Sequence, residues 1–210
     1  MATHSRHALH HLRAAVNRDP DGFAKNVYTR MFAIDPDLRD LFPAMMAGQR
    51  DAFYRVIDHV LEVIPAATGH TELVEFLAQL GRDHRKFGVE PEHYQVMAQA
   101  LMGEFAGLMG DFWDPETAET VAQATMLLTG VMRGAAETAS GPARWTARVV
   151  EKYRISRDLA VIRLIADAPL QFTVGQYLEV QIPQWPKEWR NLSSAIPPNC
   201  LLFTSDAADE

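Results

Sequence analysis

Cysteine is almost missing from this sequence: among 210 residues there is one, Cys200. A single thiol excludes an intrachain disulfide and any cysteine-ligated zinc or iron–sulfur site, and it suits a reducing compartment. Long apolar runs are missing too. No stretch reaches the roughly 20 residues of a membrane span, and the first residues, Met1 to His7, carry no apolar signal core. Basic charge is in deficit, with 20 Lys and Arg against 27 Asp and Glu and a net charge of −7. An acidic surface repels phosphate, so nucleic acid and anionic membranes are poor partners. There is no Gly-rich dinucleotide loop and no Ser–His–Asp or Cys–His set with supporting context. These gaps lead us to expect a cytoplasmic protein that binds neither nucleic acid nor membrane. What remains is an ordinary globular balance, 48% hydrophobic and 22% charged. The length suits one large domain, or one domain and part of another.

Two compositions share the chain. Up to about residue 140 the apolar residues recur at helical spacing. Phe53, Val56, Ile57, Val60, Leu61 and Ile64 form one stripe. A longer one runs from Tyr94 through Met97, Leu101, Phe105 and Met109 to Phe112, opened by Pro91-Glu92. A third, from Val121 to Ala135, is opened by Asp114-Pro115-Glu116, a good helix start. Shorter helices fit Ser5–Asn17, Asp21–Ala33 and Thr71–Lys86. From a linker at about 138–144 onward the chain holds six of the twelve prolines, and the pattern changes to period two. Trp145, Ala147 and Val149 share one face, Ala160, Ile162, Leu164 and Ala166 a second, and Leu178, Val180 and Ile182 a third. We expect domains at 1–140 and 144–199. The last residues, 200–210, resemble read-through of a sequencing adapter, so the gene is expected to be cut short at about Asn199.

His84 is the most informative residue. It continues the stripe Leu73, Phe76, Leu77 and Leu80, with Phe87 following on the same face. A histidine on an apolar face needs a partner for each ring nitrogen. It is either a core residue bonded to a carbonyl or an axial ligand to haem iron, with the second nitrogen held by an acceptor. Tyr28 shares a face with Ala24, Val27 and Met31. Its hydroxyl either reaches a carbonyl or donates to a ligand on a metal. Phe42 could pack flat on a porphyrin or be plain core, and Gln49 either reaches into a pocket or is a solvated first-turn residue. His4, His7 and His11 fall on adjacent turns, but with no carboxylate or cysteine to complete a site they read as a solvated face. His59, His70 and His93 read as surface or structural.

The runs Val27-Tyr28-Thr29-Arg30-Met31-Phe32, Asp35-Pro36-Asp37-Leu38 and Leu41-Phe42 resemble the distal signature of the flavohaemoglobin family. His84-Arg85-Lys86-Phe87-Gly88-Val89-Glu90-Pro91-Glu92-His93-Tyr94 resembles its proximal signature. The order tyrosine, phenylalanine, glutamine, histidine matches as well. The resemblance implies an all-α globin fold, a three-on-three helical sandwich, followed by an incomplete antiparallel β-barrel. It implies haem b, with His84 as proximal iron ligand and Tyr28 as donor to bound oxygen. Gln49 and Phe53 would line the distal pocket and Phe42 would wedge the haem. Tyr94 and Glu137 would steer the proximal imidazole, although Thr125 and Met126 stand where the family often has another aromatic.

The β part resembles the FAD-binding barrel of ferredoxin-reductase-like modules. Phe172-Thr173-Val174-Gly175-Gln176-Tyr177 matches that barrel's pattern with Val174 for proline. Arg190-Asn191-Leu192-Ser193 falls where an arginine binds the flavin phosphate and a tyrosine stacks on the ring. Tyr177, Arg190 and Ser193 are thus candidate FAD residues, while Leu192 cannot stack as a tyrosine does. The implied activity is an oxidoreductase that binds O2 and turns nitric oxide into nitrate, with electrons from NAD(P)H through FAD. Without a nicotinamide domain the chain is expected to need an external reductase or reductant. Two alternatives stand beside this: a haem module for O2 binding, sensing or electron transfer without dioxygenation, and a haem-free helical interaction domain.

Overall fold

The computed structural model describes residues 2–170, 172–173 and 175–195. Val174, Cys200 and the whole 200–210 segment therefore lie outside the described residues. The chain divides into two compact units, Met1–Ser140 and Gly141–Glu210. Among the described residues no helix is long and apolar enough to cross a membrane.

Six helices build the first unit: α1 (Ala2–Val16), α2 (Pro20–Ile34), α3 (Ala47–Val63), α4 (His70–His84), α5 (Pro91–Met109) and α6 (Pro115–Thr138). Short 3-10 turns follow α2 at Pro36–Leu41, α4 at Arg85–Phe87 and α5 at Gly110–Phe112. The starts are chemically marked. Asp19 caps α2 by accepting the Gly22 N–H at 2.9 Å, and Asp114 caps α6 by accepting the Thr117 N–H at 2.7 Å. Proline stands at the first position of both helices and of α5, where no donor is lost. The core gathers from every helix: Leu12, Val16, Val27, Ile57, Leu73, Leu77, Leu101 and Val121 are all but inaccessible. Each such leucine or isoleucine contributes roughly 1.5–3 kcal/mol by leaving water.

The stripes are right in phase and too generous at their edges. Phe76 is 42% exposed, set edge-on to His59 at 5.7 Å, and Phe112 is 63% exposed, tilted over His11 at 4.2 Å. Phe87 is also exposed. Phe76 is on an exposed side of α4, whereas Phe87 and Phe112 fall in the 3-10 turns past the ends of α4 and α5, where the helical spacing no longer applies.

Helices α1 and α3 are tied by ionic hydrogen bonds. Arg13 donates through Nε to Asp58 Oδ1 at 2.7 Å and through Nη2 to Oδ2 at 3.0 Å, and Asn17 adds Nδ2 to Oδ1 at 3.1 Å. The Arg13 hydrogen bond, chiefly, holds the Asp58 carboxyl below its ordinary 3.8. A lowered folded-state value means that the unfolded chain binds the proton first as pH drops. The stabilisation is therefore complete above about pH 4 and is lost as pH falls through the folded-state value. We expect Asp58→Asn to cost about 1 kcal/mol in urea unfolding at pH 7, with the gap to wild type closing below about pH 4.

Among its described residues the second unit holds two antiparallel pairs. Strands β1 (Ala147–Arg154) and β2 (Ala160–Ala166) pair from Ala147↔Ala166 to Arg154↔Ala160. A bulge between Val149 and Glu151 leaves Val150 unopposed, which breaks the expected alternation. Val161, Leu164 and Ala166 are half-buried, whereas Ala160 and Ile162 are exposed. Strands β3 (Tyr177–Val180) and β4 (Arg190–Ser193) pair from Tyr177↔Ser193 to Val180↔Arg190. Trp145 and Ile182 lie outside the strands assigned to them.

Candidate functional site: a polar-ended cavity in the helical unit

Tyr28 lies on the face of α2 that also buries Ala24, Val27 and Met31. Its ring meets Phe42 edge-on at 5.2 Å, Phe53 at 5.2 Å and Phe32 at 6.0 Å. Gln49, in the first turn of α3, donates Nε2–H to the Tyr28 oxygen at 3.1 Å. With its oxygen accepting, the phenol keeps its own proton to donate. Burial pushes the Tyr28 hydroxyl up to about 12, only partly offset by the Gln49 hydrogen bond, so it stays protonated at neutral pH.

His84 is the last residue of α4. Its Nδ1 lies 2.6 Å from the Leu80 carbonyl oxygen. A carbonyl only accepts, so Nδ1 carries the proton and Nε2 keeps its lone pair. Burial, the largest influence, lowers the His84 pKa and favours this neutral form. Gly88 closes the following turn at φ +80°, a conformation that suits glycine, and sends the chain into α5.

Tyr94, at the start of α5, lies 6.5 Å from His84 between ring centroids. Its hydroxyl is buried without a hydrogen-bond partner among the described residues. Burial, with the negative charge of Glu137 adding to it, pushes this phenol up to about 12. Glu137 is paired instead with Arg133 at 3.6 Å on the half-exposed side of α6. It forms no hydrogen bond to Tyr94 or His84.

Tyr28, Phe42, Gln49, Phe53, His84 and Tyr94 all line one cavity. It encloses about 880 Å³ of non-atom space, its open mouth included. Leu38, Leu41, Val56, Ile57, Leu80, Leu128 and the methionines Met31, Met97 and Met132 make the rest mainly apolar. Sequence reasoning missed His93 and Thr129, which also line it. The Thr129 hydroxyl is satisfied by the Thr125 carbonyl at 2.9 Å. The position of His93 was legible only as a helix start. The cavity can take an apolar molecule that accepts the His84 lone pair, with the protonated Tyr28 hydroxyl available as a donor in the same cavity.

In the second unit Tyr177 and Ser193 face each other across β3 and β4. Arg190 stands three residues from Ser193, so it lies on the opposite face of the strand. Its guanidinium covers Trp185 at 4.6 Å and pairs with Glu188 at 3.4 Å. Leu192 opposes Leu178. Among the described residues no group of three or more His, Cys, Asp or Glu gathers as a metal site. His4 sits 3.8 Å from Glu116.

The sequence profile of the globin family matches residues 25–132, more than half of the chain. A flavohemoprotein from Deinococcus radiodurans is 28% identical over 206 residues, covering 88% of this chain and 50% of that protein. One from Rhodopirellula baltica is 29% identical over 202 residues, covering 85% and 47%. Among solved structures, a flavohemoglobin from Malassezia yamatoensis with bound FAD and heme superposes with a TM-score of 0.62 at 15% identity, over 96% of this chain and 60% of that one. This last likeness concerns the fold alone. The chain belongs to the globin family and, by these relatives, to the flavohaemoglobins within it. It spans about half the length of the curated relatives it matches.

Proposed function

We propose that this chain is the haem- and O2-binding part of a flavohaemoglobin-like nitric oxide dioxygenase of the cytoplasm. One observation carries the proposal: a single apolar cavity holds an imidazole lone pair at one station and a protonated phenol at another. The residues fit haem b. His84 Nε2 is the ring nitrogen left to ligate iron, and the Leu80 carbonyl fixes the tautomer that makes this possible. The iron would supply the O2 site, and the overall change is NO + O2 + e⁻ → NO3⁻. Tyr28 donates its proton to the small ligand, Gln49 orients the phenol by donating to its oxygen, and Phe42 and Phe53 keep water out. Tyr177, Arg190 and Ser193 are proposed to contact FAD in the second unit, with the electron drawn from NAD(P)H in an intact protein or from an external reductase. The Glu137–Arg133 pair favours a second reading. With no carboxylate bonded to it, His84 is a weaker electron donor, which suits O2 binding or electron transfer without dioxygenation.

Haemin titration tests the first claim. Wild type is expected to show a saturable Soret shift at one haemin per chain. His84→Ala is expected to lose the histidine-ligated ferrous spectrum and to regain it with added imidazole. No uptake by wild type, or an unchanged spectrum in the variant, overturns the proposal. Nitric oxide consumption by the oxygenated protein with an added reductant, compared with free haem, then separates the two readings.

A further inference from the structure

Two histidines line the cavity, and backbone partners force them into opposite tautomers. The Leu80 carbonyl makes His84 Nδ1 a donor and leaves Nε2 with a lone pair. At His93 the partner is a backbone N–H. Glu90 donates to His93 Nδ1 at 3.0 Å, and the His93 N–H donates back to the Glu90 carbonyl at 3.1 Å. A backbone N–H only donates, so Nδ1 must accept and the proton of the neutral ring sits on Nε2. That N–H has no partner among the described residues, yet the half-buried ring is part of the cavity wall. One imidazole thus offers a lone pair and the other a hydrogen.

We infer that His93 Nε2–H binds a carboxylate of the molecule in the cavity, at the opposite task from His84. This rests on the haem reading above, in which the occupant is a flat macrocycle with two carboxylate side chains. Of the other polar cavity residues, Thr129 spends its donor on the Thr125 carbonyl, Gln49 gives one N–H to Tyr28, Tyr28 is assigned to the small-ligand station, and the Tyr94 hydroxyl is buried beside the His84 ring. His93 can donate without disturbing any existing bond. The reciprocal hydrogen bonds with Glu90 fix its ring at the start of α5, so little order is lost on binding.

The test uses the full chain with haemin and with haemin dimethyl ester, which keeps the ring and iron but lacks both carboxylates. The variant is His93→Glu. Glutamate at this helix position accepts the Glu90 N–H as the imidazole does, so the helix start is preserved while the donor becomes a repelling anion. Loss of each macrocycle to excess apomyoglobin is followed by absorbance. We expect His93→Glu to speed haemin loss about tenfold or more, the scale of a hydrogen bond to a charged group, and to change ester loss less than about twofold. His93→Leu, read in the same way, replaces His93→Glu if that variant is unfolded by circular dichroism. Equal acceleration of both macrocycles, or of neither, overturns the His93 assignment and leaves the haem reading standing. Failure of wild type to take up either macrocycle overturns both.

Discussion

Gly81→Ala is expected to destabilise the helical unit by about 3 kcal/mol and to weaken haemin uptake with it. A Cβ at Gly81 would lie 2.1 Å from the Met132 carbonyl oxygen and 2.7 Å from the Met132 carbonyl carbon. Those atoms belong to the backbone of α6, so no side chain can rotate aside; one helix must move. Gly81 is buried one turn before His84, and Met132 lines the same cavity. Separating α4 from α6 therefore moves the imidazole and the cavity wall together. Gly130→Ala and Gly134→Ala are the controls. Both lie within α6 with nothing within 4 Å of the added carbon. Each is expected to be neutral or to stabilise by up to about 1 kcal/mol, through helix propensity. Urea unfolding of the three variants, followed by the Soret shift on adding haemin, checks the prediction. A Gly81→Ala protein as stable as wild type would show that the α4–α6 contact yields easily.

The contrast marks what a sequence can disclose. Helix starts at Asp114-Pro115-Glu116 and Pro91-Glu92 are legible because a proline and an acidic residue act within the first turn. The phase of α2 was legible from Ala24, Val27, Tyr28 and Met31, and each of these is buried. The start of α3 was not, since Met46 provides no side-chain cap. Phe76 fits its stripe but is exposed, because periodicity gives the phase of a face and not its width, and Phe112 is exposed because α5 stops at Met109 and the chain turns at Gly110. The extra residue Val150 is a matter of strand pairing and leaves no local mark. At the site, residue types and order pointed to Tyr28, Gln49 and His84. Which nitrogen carries the proton, and that Glu137 pairs with Arg133 and makes no hydrogen bond to Tyr94, depend on atoms brought together by the fold. His93 reads as surface or structural because its neighbours in sequence describe a helix start, whereas the fold brings it to the cavity wall.

Arg30→Ala is expected to cost about 2–3 kcal/mol, more than removal of its partner Glu104. Glu104 is 5% exposed inside the α2–α5 contact, where it accepts Arg30 Nε at 2.9 Å and Asn26 Nδ2 at 2.9 Å. The Arg30 side chain is 48% exposed. The two ends of the ion pair therefore stand in different solvents. Without Glu104 the guanidinium turns to water, and a Glu104→Leu variant gains apolar burial in return. Without Arg30 the carboxylate remains in the core with one neutral donor, and its lost hydration is no longer offset by a charge. The remaining Asn26 bond and the half-exposed Arg30 hold the cost at or just below the roughly 3–5 kcal/mol of a fully buried broken pair. Urea unfolding of Arg30→Ala, Glu104→Leu and the double variant reads the asymmetry. The double variant is expected to be more stable than Arg30→Ala alone, because removing the stranded charge relieves the penalty. Equal costs for the two single variants would mean that Glu104 finds water as readily as Arg30. The same pair clamps α2, which carries Tyr28, to α5, which carries His93 and Tyr94. Its loss is therefore expected to loosen the cavity at the walls that meet a bound macrocycle, and to leave the Leu80–His84 bond on α4 in place.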